Sequence, residues 1–132
     1  MEMKTDNKSL TGDKSKILFA DDNRVFCRAL EEFFAAQPDF DVCGTAANGS
    51  EALDLIKKTE PDIVVLDMAM PYVDGFGVLD NLSSLNLSKR PHVIILSAVG
   101  QEDTTRQAME KGATYYIVKP FDMTMLLSLI HI

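Results

Sequence analysis

The stretch Ile63-Val64-Val65-Leu66-Asp67 is an unbroken aliphatic run that stops on a carboxylate, and its reading decides the fold. A run this short and continuous, rich in β-branched residues, fits a strand buried on both faces, the condition of a parallel sheet covered by helices. Three further runs have the same build. Ile17-Leu18-Phe19-Ala20 ends on Asp21 and Asp22, Val93-Ile94-Ile95-Leu96 ends on Ser97, and Tyr116-Ile117-Val118 ends on Lys119. In a parallel sheet all strands point one way, so their carboxyl ends share one edge, where open α/β sheets place their ligand crevice. Three carboxylates, a hydroxyl and an ammonium are therefore expected to converge.

Strand and helix patterns alternate five times, which predicts a doubly wound α/β domain. Strand one is expected over residues 16–20. Helix one, over 24–36, carries Val25, Phe26, Ala29, Leu30, Phe33 and Phe34 on one stripe at helical spacing, so its aromatics read as core rather than as a cofactor site. Pro38 stops that helix, and strand two follows over residues 40–46. Asn48-Gly49-Ser50-Glu51 opens helix two, whose Ala52, Leu53 and Ile56 face inward, and Pro61 separates it from strand three. The loop Met70-Pro71-Tyr72-Val73-Asp74-Gly75 leads to helix three with Val78, Leu79 and Leu82, and Arg90-Pro91 precedes strand four.

Helix four, over about residues 102–111, starts with Glu102 and Asp103 at the positive end of the helix dipole and stops at Gly112. Its apolar stripe is little more than Ala108 and Met109, so packing should hold it weakly and movement is expected there. The last helix, from about residue 123, carries Met125, Leu126, Leu127, Leu129 and Ile130 and is read as truncated at residue 132. Strand two ends on Thr45-Ala46-Ala47, with no reactive group. In the strand order 2-1-3-4-5 it is an edge strand remote from the crevice, which fits that silence.

Composition bounds the function. A chain of 132 residues makes one domain that buries about two thirds of its unfolded surface. With 46% apolar residues and a net charge of -7, it reads as a soluble protein whose surface repels nucleic-acid phosphates and anionic lipid. Neither nucleic-acid contact by this domain nor membrane association is expected. Cys27 and Cys43 have no zinc-ligand spacing and no CxxC pairing, and read as small apolar residues in a reducing cytoplasm. Residues 1–15 are polar, lack the apolar centre of a signal sequence and read as a disordered tail before a domain at 16–132.

Two adjacent acids on one strand end and a third on another repel one another when ionised. A hard divalent cation relieves that repulsion, and Mg²⁺ suits it because it accepts one or two carboxylates and keeps exchangeable waters. Lys119 adds a positive point charge and Ser97 a hydroxyl donor. Together they suit a phosphoryl group.

Asp21-Asp22, Asp67 with Pro71 four residues later, Asp74-Gly75, Ser97-Ala98 and Lys119-Pro120 resemble, in order and spacing, the receiver domain of bacterial two-component response regulators, a flavodoxin-like fold with five flanking helices. The resemblance implies that Asp67 accepts a phosphoryl group from a histidine kinase or phosphotransfer protein. It implies Mg²⁺ on Asp22, Asp67 and the Ala69 carbonyl, with Asp21 acting directly or through water. Ser97 and Lys119 would hold the phosphoryl oxygens, Tyr116 would be the aromatic switch, and the Lys119-Pro120 bond would be cis. Such a domain catalyses only its own modification and is not a turnover enzyme. Its output would be a phosphorylation-dependent homodimer or release of a C-terminal DNA-binding effector domain absent from this chain.

Ala20-Asp21-Asp22-Asn23-Arg24, Gly100-Gln101-Glu102-Asp103 and Lys119-Pro120-Phe121-Asp122-Met123 are similar, more narrowly, to receivers of sporulation transcription regulators of endospore-forming bacteria. Ser97 stands where the family commonly has threonine, and Ala69 offers no side chain to an attacking water. Two rival readings are a stand-alone receiver relaying phosphate and a Mg²⁺-dependent aspartyl-phosphate phosphatase. The latter needs a general acid two residues past Asp67, where Ala69 sits.

Overall fold

The computed structural model describes residues 14–70 and 74–130. Its elements alternate without exception: β1 (Ser15–Ala20), α1 (Arg24–Ala35), β2 (Phe40–Ala46), α2 (Gly49–Thr59), β3 (Ile63–Asp67), α3 (Gly75–Leu82), β4 (His92–Ala98), α4 (Glu102–Glu110), β5 (Tyr115–Lys119) and α5 (Met123–Ile130). All strand pairs are parallel and the sheet order is β2-β1-β3-β4-β5. This is the expected doubly wound, flavodoxin-like arrangement with five helices. β1 begins one residue earlier than expected, Ser15 pairing with Phe40. Residues 1–13 of the expected tail, residues 71–73 of the expected loop and residues 131–132 lie outside the described residues.

The unbroken apolar runs have a direct structural cause. Successive strand side chains point to opposite faces, and here both faces are covered. Ile17 and Phe19 of β1 with Ile94 and Leu96 of β4 pack against Leu30 and Phe34 of α1 and Leu126 of α5. Leu18, Ala20, Val64, Leu66, Val93 and Ile95 pack the other way, against Ile56 of α2, Val78 and Leu79 of α3 and Ala108 of α4. Phe34 lies at the centre of the first layer, its ring 5.4 Å from those of both Phe19 and Phe40.

Two expectations need correction. Val25 is 81% exposed and Ala29 is also at the surface, so the inward stripe of α1 runs through Cys27, Leu30 and Phe34 with Phe26 and Phe33 at its margins. The cause is rotational: steps of about 100° per residue put positions 27, 30 and 34 on one side once Phe34 is seated under the sheet. β5 is not buried on both faces either. Only Ile117 of that strand is buried, and Tyr116 is 52% exposed. β5 is an edge strand, and the buried residues of α4 beside it are only Thr105 and Ala108, too small to cover it. No helix among the described residues is long and apolar enough to cross a membrane.

Candidate functional site

Asp21 follows β1 at once and is fixed on every side. Its N–H donates to the Ala46 carbonyl at 3.0 Å, extending the ladder to β2 by one residue. Its Oδ1 accepts from the Asn23 N–H at 2.9 Å, its Oδ2 accepts from Lys119 Nζ at 2.8 Å, and its carbonyl accepts from the Cys27 thiol at 3.2 Å. Asn23 in turn caps α1, its side chain accepting from the Phe26 N–H. Asp21 is 2% exposed, whereas its neighbour Asp22 opens to solvent.

Asp67 closes β3, and its Oδ1 accepts from the Ala69 N–H at 3.2 Å. One carboxylate oxygen from each of Asp21, Asp22 and Asp67 lies within 4.8 Å of the others. Burial, and after it the charge of Asp21, raises the Asp67 pKa above its ordinary value. Gly75 lies against the residue that follows Asp67: its N–H donates to the Met68 carbonyl at 3.3 Å, and a Cβ on Gly75 would stand 2.8 Å from Met68 Cα. Only glycine allows that approach.

The register of β4 sets the remaining groups. Asp67 pairs with Leu96, so Ser97 stands one step further along the neighbouring strand, itself opposite Val118 of β5, and Ala98 is opposite Lys119. Ser97 is 3% exposed, and its hydroxyl has no hydrogen-bond partner among the described residues. An orphaned buried hydroxyl is a ready donor for an anion oxygen. The Lys119 side chain is 33% exposed, its ammonium lying between Asp21 Oδ2 and the ring of Phe26, whose centroid is 4.8 Å away. The Lys119-Pro120 peptide is cis, as expected. Ser97 also reaches a cavity of about 420 Å³ between α4 and β5, lined further by Thr105, Met109, Tyr116 and Val118.

The structure thus gathers Asp21, Asp22, Asp67 and Lys119, places Ser97 on the adjoining strand end, and leaves Tyr116 facing outward on the groove beside them. Three participants escaped the sequence reading. Phe26 carries the Lys119 ammonium although its spacing places it on the core stripe, and the Cys27 thiol tethers the Asp21 carbonyl. Gln101 folds its side chain back to accept from the Ala98 N–H at 3.0 Å, holding the β4–α4 turn in which Gly100 takes a φ of +92°. The glycine beside a glutamine at a helix start was a visible signal for the last. For the others there was none, because each contact joins separate elements or a side chain to distant backbone. Chemically the edge offers an all-oxygen set with three negative charges against one ammonium, which fits a hard divalent cation, and a free hydroxyl and an ammonium that fit an anion.

A parallel sheet of this order with an acidic crevice at its carboxyl edge defines a class of doubly wound domains. Comparison with known proteins narrows it: the family described as response regulator receiver domain matches residues 17–131, and the chain belongs to that family. Among solved structures, CheY in a CheX-CheY-BeF3-Mg²⁺ complex from Borrelia burgdorferi is 34% identical, with a TM-score of 0.82 and coverage of 92% of this chain and 90% of that one. The Francisella response regulator 1452 receiver domain is 31% identical, with a TM-score of 0.78 and coverage of 89% and 94% respectively. The response regulator domain of Thermotoga maritima CheB is 27% identical, with a TM-score of 0.79 and the same two coverages of 89% and 94%. Receiver domains are phosphoacceptors that pair with histidine kinases, and they generally bind Mg²⁺ in an acidic pocket of the kind seen at Asp21, Asp22 and Asp67.

Proposed function

We propose that Asp67 is the phosphoacceptor of a phosphorylation switch, charged by a histidine kinase or phosphotransfer protein. One observation carries the reading: the Asp67 carboxylate belongs to a cluster spanning 4.8 Å, with the Lys119 ammonium on its Asp21 member and, on the next strand, a Ser97 hydroxyl without a hydrogen-bond partner among the described residues. An oxygen of ionised Asp67 forms the new P–O bond in line. The bond from phosphorus to the donor imidazole nitrogen breaks, and its electron pair leaves with the donor. Lys119 and Ser97 would hold the transferred oxygens where charge develops. Asp21, Asp22, Asp67 and the Ala69 carbonyl would hold Mg²⁺, which when bound supplies further neutralisation of those oxygens. The CheY relative from Borrelia carries BeF3 and Mg²⁺ in its complex, which supports this chemistry.

The added charge would draw Ser97 toward the phosphoryl group and let the Tyr116 ring turn into the groove between α4 and β5. α4, seated on Thr105 and Ala108, would shift with it. The altered face would favour a homodimer or free an attached DNA-binding domain. The chain works as a cytoplasmic signalling domain in this reading, its Cys27 and Cys43 thiols free, and it turns over no metabolites because Ala69 has no proton to give. Incubation with Mg²⁺ and acetyl phosphate should add one phosphoryl mass, and Asp67→Asn should abolish it. Labelling that persists in this variant overturns the assignment.

We further place the domain with sporulation transcription regulators, on the Gly100-Gln101-Glu102-Asp103 loop, in which Gly100 supplies the positive φ and Gln101 the pin to Ala98. Coding sequence past residue 132 tests this. A linker and helix-turn-helix support it, and a stop codon there favours a relay intermediate.

A further inference from the structure

We infer that Phe26 is a positioning residue for phosphoryl transfer: its ring is the platform that keeps the Lys119 ammonium at the mouth of the acidic crevice. The inference rests on the reading of Asp67 given above. Lys119 Nζ sits 2.8 Å from Asp21 Oδ2 and 4.8 Å from the centroid of the Phe26 ring, so it is held between an anion and a π face. A lysine ammonium within about 6 Å of a ring centroid is attracted by the ring quadrupole, and more strongly when partly desolvated. The ring is itself braced. Phe121, two residues after Lys119, meets Phe26 nearly edge-on, with centroids 5.9 Å apart and an interplanar angle of 77°.

The need for a platform follows from the competition for Asp21. That carboxylate cannot give its full charge to Lys119 and to a divalent cation together, whereas among the described residues no second cation meets the Phe26 ring. A lysine without a fixed partner spreads over many rotamers, since its four-carbon stem is flexible. With the ring beneath it, the ammonium stays where an oxygen of the incoming phosphoryl group can meet it. An aliphatic side chain of similar bulk would fill the same space without attracting the charge. α1 therefore contributes to the chemistry through a residue that packing alone would also explain, and the two roles separate experimentally.

The test compares the wild-type chain with Phe26→Leu, which keeps an apolar side chain, and Phe26→Tyr, which keeps a ring. Acetyl phosphate is the donor, Mg²⁺ is the cation, and the Lys119 methylene proton shifts in the nuclear magnetic resonance spectrum report the ring directly. Phe26→Leu should abolish the upfield ring-current shift of those protons. It should also lower the maximal phosphorylation rate about 3- to 10-fold, as the loss of one cation–π contact implies, with the Mg²⁺ midpoint changed by less than about twofold. Phe26→Tyr should restore both the shift and the rate. A Phe26→Leu protein that is folded and phosphorylated at the wild-type rate overturns the inference, as does a Tyr variant as slow as the Leu variant. If the wild type itself takes no phosphoryl group, the assignment of Asp67 falls, and this inference falls with it.

Discussion

Lys119 Nζ lies 2.8 Å from Asp21 Oδ2, so the ammonium of β5 is paired with the buried carboxylate after β1 and not with Asp67 at the end of β3. The pairing makes Lys119 a structural partner of Asp21, beside the phosphoryl contact proposed for it. Lys119→Met keeps the stem and removes the charge, leaving Asp21 buried with only the Asn23 N–H on its side chain among the described residues. With divalent cation chelated, urea unfolding should show a loss of about 1–3 kcal/mol, and phosphorylation by acetyl phosphate should slow by about 100-fold or more. A variant as stable as wild type would show that the pair contributes nothing to the fold.

The raised pKa of Asp67, caused first by burial and next by the charge of Asp21, has a stability consequence with a definite sign. The folded protein binds this proton more tightly than the unfolded chain does. The stability linked to it is complete below the unfolded value near 3.8 and is lost as pH rises through the raised folded value. Asn is neutral and suffers no such loss. In chelator, Asp67→Asn should melt with wild type below about pH 4 and at a higher temperature than wild type near pH 7. Thermal melts across that range check the trend; a gap that stays constant with pH contradicts it.

Gly75 carries a third prediction. An alanine Cβ there would stand 2.5 Å from Met68 Sδ and 2.8 Å from Met68 Cα. The sulfur can swing aside and the backbone cannot, so Gly75→Ala should push apart the loop that begins at Asp67. A destabilisation of about 1–3 kcal/mol is expected in urea unfolding, along with slower phosphorylation, while Asp67 remains chemically intact. Unaltered stability and rate together would mean that the loop relaxes freely.

Much of this molecule is legible in its sequence. Ile63 to Leu66 and Ile17 to Ala20 are continuous because helices cover both sheet faces, and that local constraint wrote itself into the residue types. The chemical residues that close those runs could therefore be assigned to one edge. Asn23, Asn48 and Asp74 cap helices through their own side chains within three residues, so those boundaries were legible too. Val25 misled because its spacing fits a helical stripe, and periodicity does not say which of two adjacent stripes faces the sheet. β5 misled for a related reason: an apolar triplet looks the same on a covered strand and on an edge left half open by a helix whose buried residues are Thr105 and Ala108.

By itself, then, the sequence determined the alternation of strands and helices, the carboxyl edge as the place of the chemistry, and the residues that meet there, because strand burial and parallel direction are properties of short segments. The tertiary structure alone decided which carboxylate takes Lys119, that a Phe26 ring lies under the ammonium, and that Tyr116 faces outward. Lys119 and Asp21 are 98 positions apart, and the choice among three acids depends on a few ångströms of side-chain placement that no local pattern encodes.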